Sequence, residues 1–292
     1  MSGLIVAAHR RHYDVVMPDG ERLACVLKGR SMRIAVGDRV VVDRTPQGGV
    51  ITDIEARRNL VYRSDAFKEK LVAANVTQIV AVVAPDIALD EELLQRWMIA
   101  AEAAGCRYVV FANKQDLPSF PHLRTRLAPV EALGYPVVAL SARNDIATAH
   151  AWLDGQHSVL VGQSGMGKST LINALVPEAQ ARTSEVSESL NAGRHTTTST
   201  TLYILDAKSW IVDSPGMKVF GLAHVPADDL PAAFVDIRPF LGHCRFRNCR
   251  HDAEPGCAVT EAVARGKIAP QRLALMHTIL REVQSKDGMR PR

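Results

Sequence analysis

The sequence SVLVGQSGMGKSTLINAL occupies residues 158–175 and decides the fold of the central part of the chain. Within it, residues 162–170 match the phosphate-binding loop pattern Gly-x4-Gly-Lys-Ser/Thr. An apolar strand at 158–161 precedes the loop and a helical pattern at 168–175 follows it, which is the context that the motif requires. The stretch therefore predicts a loop at the end of a buried strand that binds the phosphates of a nucleotide.

The chemistry of this loop rests on its backbone, one lysine and one hydroxyl. Its glycines let several backbone N–H groups converge on phosphate oxygens, and the N-terminus of the following helix adds partial positive charge. Lys168 adds a full positive charge, and the motif places the hydroxyl of Ser169 to bind Mg²⁺. We predict that the loop residues that bind the nucleotide are Gly162, Gln163, Ser164, Gly165, Met166, Gly167, Lys168, Ser169 and Thr170.

A second motif, Asn-Lys-Gln-Asp at 113–116, follows an apolar strand and resembles the guanine-recognition element of GTPases. In that element the aspartate accepts hydrogen bonds from the N1–H and the 2-amino group of guanine. Adenine offers no such pair of donors, so a carboxylate at this place selects against ATP. Ser-Ala-Arg at 141–143 resembles the companion loop that backs the base, with Arg in place of the usual Lys. We predict that the base-binding residues are Asn113, Lys114, Asp116, Ser141 and Ala142.

Two further segments have the features of magnesium and γ-phosphate contacts. Asp-Ser-Pro-Gly at 213–216 fits the Asp-x-x-Gly pattern, whose aspartate holds Mg²⁺ through water and whose glycine hydrogen-bonds the γ-phosphate. Gly-Arg-His-Thr-Thr-Thr at 193–198 lies between the phosphate loop and that motif, where a Mg²⁺-binding threonine is expected. We predict that Asp213, Gly216 and Thr197 have these roles, with either threonine next to Thr197 as the alternative.

The order of these motifs along the chain is unusual. In an ordinary GTPase the phosphate loop comes first and the base-recognition motifs come last, whereas here the base motifs at 113 and 141 precede the phosphate motifs. The set is complete but circularly permuted, and such a permutation can leave the sheet and the site intact because chain termini usually lie close together. The permutation also attaches the segment after Asp213 directly to the C-terminal region. A movement of this switch segment could therefore be transmitted to that region.

Near the C-terminus, Cys244, Cys249, His251 and Cys257 follow the pattern Cys-x4-Cys-x-His-x5-Cys. Four such donors suit tetrahedral Zn²⁺, and a shell without an open position indicates one structural ion per chain. Fe²⁺ or Co²⁺ would fit the same donors, and unligated reduced cysteines are the remaining alternative. Arginines and Phe246 lie between the ligands, which is typical of a patch that contacts RNA phosphates and stacks on a base.

The N-terminal segment has the pattern of a small β-barrel. Four β-rich runs are separated by turn residues, and they lie at 13–17, 22–27, 38–43 and 50–54. Short strands of this spacing predict an OB-like barrel, a fold that often binds RNA. Its arginines favour contact with phosphates over base reading, and they are Arg30, Arg33, Arg39 and Arg44. A barrel with a purely structural role is the alternative.

The rest of the chain divides into two parts. Strands alternate with helices over 66–225, which predicts a mainly parallel sheet with helices on both faces. Residues 226–292 are helical apart from a Cys/His-rich loop at 242–257. We therefore predict a multidomain protein with an OB-like barrel at 1–65, a circularly permuted α/β P-loop GTPase domain at 66–225 and a helical zinc-binding domain at 226–292.

Composition and charge narrow the class of protein further. Of the 292 residues 47% are apolar and 23% are charged, which excludes a disordered or fibrous chain. The net charge of +4 divides into +3 over 1–65, −4 over 66–234 and +5 over 235–292. Basic ends favour contact with a polyanion, although ordinary solvated faces give the same charge. The chain lacks a run of about 18 apolar residues and a signal-peptide pattern. We expect a cytoplasmic monomer without structural disulfides or membrane contact.

Together these features resemble the RsgA/YjeQ family of bacterial GTPases. The resemblance covers nearly the whole chain and rests on the permuted order, the segments at 193–198 and 213–216, the Cys/His cluster and the leading barrel. It implies an OB-fold domain, a permuted GTPase domain and a zinc domain. It also implies hydrolysis of GTP to GDP and phosphate, stimulated by the 30S ribosomal subunit in late small-subunit maturation, with contacts to 16S rRNA.

The candidate catalytic residues are Lys168, Thr197 and His195, of which His195 is implicated in hydrolysis by the family resemblance. A solvated loop histidine is the alternative for His195. Many GTPases place a water-orienting Gln directly after the Asp-x-x-Gly glycine, but this chain has Met217. We therefore expect slow intrinsic turnover, with a water-positioning group supplied by a conformational change or by the partner. Lys218 stands where the family commonly has Glu.

Two other functions stay open on the sequence alone. The first is a P-loop ATPase or kinase with an accidental Asn-Lys-x-Asp, for which ATP and GDP would compete equally with GTP. The second is a zinc-dependent RNA-binding or scaffold protein with a vestigial nucleotide site, which would show no multiple turnover even with 30S subunits.

Overall fold

The computed structural model describes residues 1–9, 12–29, 32–64, 69–177, 179, 200–213, 222 and 225–287. Its first five strands are β1 (Ser2–Ala8), β2 (Tyr13–Val16), β3 (Arg22–Leu27), β4 (Arg39–Thr45) and β5 (Gly48–Ile54). They pair in the order β1-β2-β3-β5-β4, and β4 pairs back with β1. Side chains on their inner faces are fully buried, among them Ile5, Val15, Cys25, Val40 and Ile51. This closed five-stranded arrangement confirms the predicted small barrel.

A two-stranded hairpin follows the barrel. Strands β6 (Leu60–Ser64) and β7 (Glu69–Ala74) pair antiparallel. The backbone N–H of Ala74 donates to the carbonyl of Val36 at 2.9 Å, so the hairpin packs against the barrel. The predicted boundary between 65 and 66 lies between these two paired strands, and the division of the chain into domains stays a prediction.

The central part of the chain forms a mainly parallel extension of the same hydrogen-bonded sheet. Its strands are β8 (Gln78–Val83), β9 (Arg107–Ala112), β10 (Val137–Ala139), β11 (His157–Val161), β12 (Thr201–Ile204) and β13 (Trp210–Asp213). They pair in the order β10-β9-β8-β11-β13-β12, all parallel except β12. Every residue of β8 is buried, as expected for a central strand covered on both faces. The predicted parallel sheet is therefore present.

Helices cover this sheet and form the C-terminal part. They are α1 (Glu91–Ala103), α2 (Phe120–Ala132), α3 (Ile146–Leu153), α4 (Lys168–Leu175), α5 (Ala258–Ala264) and α6 (Pro270–Asp287), with 3₁₀ turns at Leu230–Ala233 and Arg238–Phe240. The carboxylate of Asp90 accepts from the N–H of Leu93 at 2.9 Å and caps α1. Within the described residues, no helix has the length and apolar character needed to cross a membrane.

The topology places the functional motifs at one edge of the sheet. Strands β8, β9, β10, β11 and β13 run parallel, so their carboxyl ends meet at the same edge. The motif at 113–116 follows β9, the loop at 162–170 follows β11, and Asp213 ends β13. Ligands of open parallel sheets bind at this edge. The sequence motifs are therefore brought together by strand order, although they are far apart along the chain.

The barrel and the parallel sheet are joined at a tight seam. Strand β1 pairs with β12 through Ala7 and Thr201. The ring of His157 stacks on Trp210 with 4.5 Å between centroids, and the Asn75 side chain donates to the carbonyl of Gly37 at 2.9 Å. A side chain on Gly37 would collide with the carbonyl of Ala74. This packing fixes the barrel beside the edge strand of the sheet.

The C-terminal part is anchored on α1 by ion pairs. Arg272 pairs with Asp236 at 2.7 Å, and their side chains are only 7% and 10% exposed. Arg272 also donates to Gln95 of α1 at 3.2 Å. Arg96 of α1 binds Glu282 of α6 with both terminal nitrogens, at 2.7 and 2.8 Å. Removing one partner of the buried pair would leave an uncompensated charge, so the pair holds this packing in register.

Candidate functional site

A cavity of about 320 Å³ opens at the carboxyl edge of the sheet. Its wall combines the base motif, the companion loop and the phosphate loop. The lining residues are Asp86, Asn113, Lys114, Asp116, Leu117, Ser141, Ala142, Arg143, Gly165, Gly167 and Thr170. Polar groups from three loops thus converge on one concave site, which is typical of a ligand pocket.

Asn113 connects the three loops. Its side chain is 2% exposed, its Nδ2 donates to the carbonyl of Met166 at 3.0 Å, and its Oδ1 accepts from the N–H of Ala142 at 2.9 Å. Met166 belongs to the phosphate loop and Ala142 to the companion loop. The turn at 113–116 therefore lies directly against the loop at 162–170, as binding of a single nucleotide requires.

Lys114 lies over the cavity and is held from two sides. Its Nζ donates to the carbonyl of Gly165 at 2.8 Å and to the carboxylate of Asp86 at 2.6 Å. The backbone of Lys114 is left-handed, with φ of +60°. The Lys114 ammonium lowers the pKa of Asp86 below its ordinary value. This arrangement fixes the aliphatic part of the lysine along one side of the pocket.

Asp116 projects into the mouth of the cavity, where a base would bind. The Ser141 hydroxyl donates to its carboxylate, and this bond is the main reason that the pKa of Asp116 lies below its ordinary value. Ser141 itself is 4% exposed. The carboxylate is therefore ionised at neutral pH and oriented by a buried hydroxyl, as acceptance of two N–H donors from a base requires.

The phosphate loop has a backbone that only glycine tolerates at several places. Gly165 and Gly167 have φ of +82° and +97°. A Cβ on Gly162 would collide with the carbonyl of Val82, and one on Gly167 would overlap Nδ2 of Asn113. Gly167 is also the N-cap of α4, so the loop passes directly into a helix N-terminus. The glycines let the loop curve closely around the sheet edge.

Lys168 and Asp213 form the charged end of the site. The Lys168 Nζ donates to the carbonyls of Gly162 and Gln163 at 2.6 and 3.0 Å, which places the ammonium inside the curve of the loop. Burial lowers the pKa of Lys168, and the Asp213 carboxylate opposes this shift. Burial likewise raises the pKa of Asp213, and Lys168 opposes it. Each charge thus stabilises the other in a partly desolvated site.

A separate cluster lies in the C-terminal part. The donor atoms of Cys244, Cys249, His251 and Cys257 all lie within 4.8 Å of one another. The Nδ1 of His251 is 3.4 Å from the Sγ of Cys244 and 3.5 Å from that of Cys257, and these two sulfurs are 3.9 Å apart. The backbone of His251 has φ of +61°. The loop therefore turns its four donors toward a common point.

These separations fit a tetrahedral zinc ion. With Zn–S and Zn–N distances of about 2.3 and 2.1 Å, tetrahedral ligands would have S···S and S···N separations of about 3.8 and 3.6 Å. The observed values are close to both, and all five cysteines of the chain are free of disulfides. Cys257 also caps α5, because its Sγ accepts from the N–H of Thr260 at 3.5 Å. The cluster fits zinc in donor type and in spacing.

Comparison with known proteins identifies the family. The sequence profile of the RsgA GTPase family matches residues 54–223, which is more than half of the chain. The chain belongs to the RsgA GTPase family. It is therefore a GTPase, a hydrolase, and the alternatives of an ATPase or kinase and of a scaffold with a vestigial site lose their support.

Relatives extend this RsgA-family assignment over nearly the whole chain, and solved structures share its fold. A protein of Burkholderia pseudomallei (strain K96243) is 50% identical and one of Nitrosospira multiformis is 44% identical, each over 96% of this chain and 91% and 90% of its own length. Both are named small ribosomal subunit biogenesis GTPase RsgA. YjeQ from Thermotoga maritima has a TM-score of 0.73 at 29% identity, covering 97% of this chain and 98% of its own. YloQ, described as a circularly permuted GTPase, has a TM-score of 0.71 at 24% identity, covering 100% and 96%.

The structure brings most of the predicted nucleotide-binding residues of this RsgA-family GTPase together. Asn113, Lys114, Asp116, Ser141, Ala142, Gly165, Gly167 and Thr170 line one cavity. Met166, Gly162 and Gln163 contribute carbonyls to the bonds of Asn113 and Lys168. Ser164 and Ser169 are exposed on the loop and at the start of α4. His195, Thr197 and Gly216, with Met217 and Lys218, lie outside the described residues.

Asp86 is a site residue that the sequence reasoning missed. It follows β8, the neighbour of β9, so strand order places it beside Lys114. An acidic residue just after a buried strand at the same sheet edge as a known motif was the available signal. Ile87 next to it would contact a Cβ on Gly165 at 3.1 Å, so this short segment packs directly on the phosphate loop.

Replacing Gly167 with alanine is expected to weaken GDP binding by at least about tenfold. A Cβ there would displace the Asn113 side chain from Met166 and Ala142, in addition to about 1–2 kcal/mol of left-handed backbone strain. Gly134→Ala is the matched control, because Gly134 has φ of +88° but nothing within 4 Å of its Cβ position. Titration with a fluorescent GDP analogue measures both variants. Equal losses in the two would show that Asn113 does not couple the loops.

Proposed function

We propose that this RsgA-family GTPase hydrolyses GTP in small-ribosomal-subunit biogenesis, in the cytoplasm where the subunits assemble, and that the 30S subunit stimulates hydrolysis. The nucleotide-binding part of the proposal rests on two hydrogen bonds of Asn113, which donates to the Met166 carbonyl and accepts from the Ala142 N–H. They hold a guanine-type motif against a phosphate loop in one cavity. The names of the relatives support the process in which the activity is used.

The chemistry follows from the charges at the site. Water attacks the γ-phosphorus, the bond from that phosphorus to the β–γ bridging oxygen breaks, and GDP and phosphate leave. The N–H groups of the loop and the Lys168 ammonium stabilise the negative charge on the β- and γ-phosphate oxygens. Ser169 and Thr197, together with Asp213 through a water molecule, would hold a Mg²⁺ ion that binds with the nucleotide, and this ion would supply further positive charge. His195 stays the proposed hydrolytic residue from the family resemblance.

The RNA contacts are proposed to come from both ends of the chain. The Cys/His-rich loop at 242–257, here called the zinc loop, exposes Arg245, Arg247 and Arg250. The side chain of Phe246 is 42% exposed, and the Arg245 guanidinium lies 5.5 Å from the centroid of its ring. A cation stacked on an exposed ring is a surface that suits an unstacked base and its phosphate. This geometry supports the zinc loop as an RNA-binding element.

The barrel offers a smaller basic surface than its sequence suggests. Arg44 pairs with Glu21 at 2.5 Å and with Asp19 at 3.1 Å, so its charge is already balanced. Arg33 and Arg39 are exposed and are the described barrel residues that we assign to phosphate contact, while Arg30 lies outside the described residues. Phosphate binding by the barrel is therefore proposed to rest on fewer side chains.

The test is GTP turnover with and without 30S subunits over a series of salt concentrations. We expect clear stimulation at low salt that falls steeply as salt rises. In the double variant Arg245→Ala, Arg247→Ala the intrinsic turnover should be unchanged, and the salt slope of 30S binding should fall by about 2, or about one for each lost phosphate contact. Arg265→Ala is the control, because Arg265 follows the last residue of α5, its side chain is 74% exposed, and it lies outside the zinc loop.

Two outcomes would contradict the proposal in different places. Equal GTP turnover with and without 30S subunits would contradict the proposed stimulation by the ribosomal subunit, but it would not contradict the GTPase activity. An unchanged salt slope in the double variant, with normal stimulation, would show that the zinc loop does not contact RNA phosphates.

A further inference from the structure

A second group of side chains of metal-ligating type lies between the end of β1 and the start of β2 in the barrel. Strands β1 and β2 pair with Ala8 opposite Tyr13 and Ala7 opposite Asp14. The N–H of His9 donates to the carbonyl of His12 at 2.9 Å, so this register continues to His9 and His12. Because side chains alternate along strands and opposite residues share a face, His9, His12 and Asp14 all project from the same side of the hairpin.

The three side chains converge on a small volume. The rings of His9 and His12 are stacked, with 4.3 Å between centroids and an angle of 21°. The Nε2 of His9 is 3.4 Å from Oδ2 of Asp14, and the Nε2 of His12 is 3.9 Å from Oδ1. The donor atoms of all three lie within 4.8 Å of one another. One carboxylate thus faces two imidazole nitrogens from the same direction.

The distances between these donor atoms can be compared with the distance between two ligands of one metal ion. Two N or O donors at about 2.1 Å from a tetrahedral ion would be about 3.4 Å apart. The His9–Asp14 separation of 3.4 Å equals this value, and the His12–Asp14 separation of 3.9 Å needs a small side-chain rotation to reach it. Imidazole and carboxylate donors suit borderline divalent transition metals such as Zn²⁺, Co²⁺ and Ni²⁺. The side chains are 35%, 49% and 36% exposed, so an ion from solvent can reach them without unfolding the barrel.

We propose that His9, His12 and Asp14 bind one divalent transition-metal ion, separately from the Cys/His cluster near the C-terminus. Three protein ligands leave at least one coordination position to water, whereas the four donors of the C-terminal cluster fill a tetrahedral shell. The ion would cross-link the end of β1 to the start of β2. Since β1 also pairs with β12 at Ala7, the cross-link lies next to the seam between the barrel and the GTPase sheet.

The experiment is calorimetric titration of the untagged full-length protein with Zn²⁺ after the thiolate site has been filled with one equivalent. We expect a second, weaker equivalent in the wild-type protein. His12→Ala and Asp14→Ala should lose that equivalent and keep the first, while His150→Ala, which removes an exposed histidine of α3, should keep both. Circular dichroism checks that the variants are folded.

Co²⁺ gives an independent readout of the same site. In protein with its thiolate site filled by Zn²⁺, added Co²⁺ should produce the weak visible bands of nitrogen and oxygen ligation without thiolate charge-transfer absorption. These bands should be absent from the His9→Ala, His12→Ala double variant. A wild-type protein that binds a single equivalent, or a second equivalent that persists in both the Asp14→Ala and the double variant, would overturn the proposal.

Discussion

Replacing Asp116 with asparagine is expected to lower the affinity for GTP and GDP by at least about 100-fold and to create binding of xanthine nucleotides. The Asp116 carboxylate lies at the mouth of the cavity and is oriented by the Ser141 hydroxyl. It is placed to accept two hydrogen bonds from the N1–H and 2-amino donors of guanine. An amide at this position offers one acceptor and one donor group, so it faces the 2-amino group with a donor. Sites built to pair a polar group reject unmatched analogues by up to about 10⁴–10⁵-fold.

The measurement is competition of GDP, XDP and ADP against a fluorescent guanine nucleotide. Asp116→Ala is the matched control, because it removes the same acceptor without adding the amide that matches xanthine. Asp116→Ala should lose GDP binding without gaining XDP binding, whereas Asp116→Asn should lose GDP binding and gain XDP binding. If Asp116→Asn kept GDP binding within a few-fold of the wild type, the carboxylate would not contact the base.

The assembly of the candidate nucleotide site could be predicted from the sequence because its motifs are local. A phosphate loop needs glycines, a lysine and a hydroxyl at fixed spacing, and the structure places these residues where that spacing implies. The guanine motif is equally short, and the buried Asn113 joins it to the loop. Each motif fixes its own local geometry. The order of the strands in the sheet is the further information that brings the motifs together.

The contact between Asp86 and Lys114 could not be predicted in the same way. It depends on β8 lying beside β9 in register, which no local pattern around Asp86 specifies. An acidic residue after a strand is common, and most such residues are solvated. The seam between the barrel and the sheet could not be predicted from local sequence either, because the Ala7–Thr201 pairing joins residues that are almost 200 positions apart.

Several elements were missed for identifiable reasons. Strand β1 (Ser2–Ala8) has a continuous apolar run without alternation, since it is buried between β2, β4 and β12. Helix α3 (Ile146–Leu153) is short, although the Asp145 carboxylate caps it by accepting from the Thr148 N–H at 3.3 Å. The hairpin of β6 and β7 crosses the predicted domain boundary, and no strands are predicted there from the sequence. Short elements whose stability comes from tertiary packing give weak local signals.

The permuted order of the motifs determines how the C-terminal part of the chain is connected to the candidate nucleotide site. Asp213 ends β13 at the candidate nucleotide site, and the described residues after it, at 222 and from 225 onward, add no further strand. That part is anchored on α1 through Arg272 and Arg96, and α1 follows the segment that contains Asp86. The C-terminal part is therefore linked to the site region twice, by the covalent chain that follows Asp213 and by its packing on α1. Anchorage on α1 does not involve the Cys/His loop, so the two can be separated by experiment.

Removing zinc is expected to unfold the Cys/His loop and leave the GTPase domain folded. The ion would join Cys244, Cys249, His251 and Cys257, and zinc binding supplies about 10–16 kcal/mol in zinc-finger peptides. Few other interactions can replace it, because most residues of 244–254 are exposed or half-buried. Cys257 additionally caps α5, so its loss should also release the first turn of that helix.

The test is hydrogen exchange in Cys257→Ala and in chelator-treated wild-type protein. Exchange should rise strongly over 242–264 and stay unchanged in the parallel sheet, and over 270–283 it should rise little because the Arg272–Asp236 pair still holds α6. His243→Ala is the control, since His243 is exposed, lies next to Cys244 and is not part of the cluster. GDP affinity should be retained while stimulation by 30S subunits is lost, because the basic loop would no longer present its arginines together. Protection over 242–264 that survived both treatments would show that the loop folds on its own packing, and the four donors would then need another explanation.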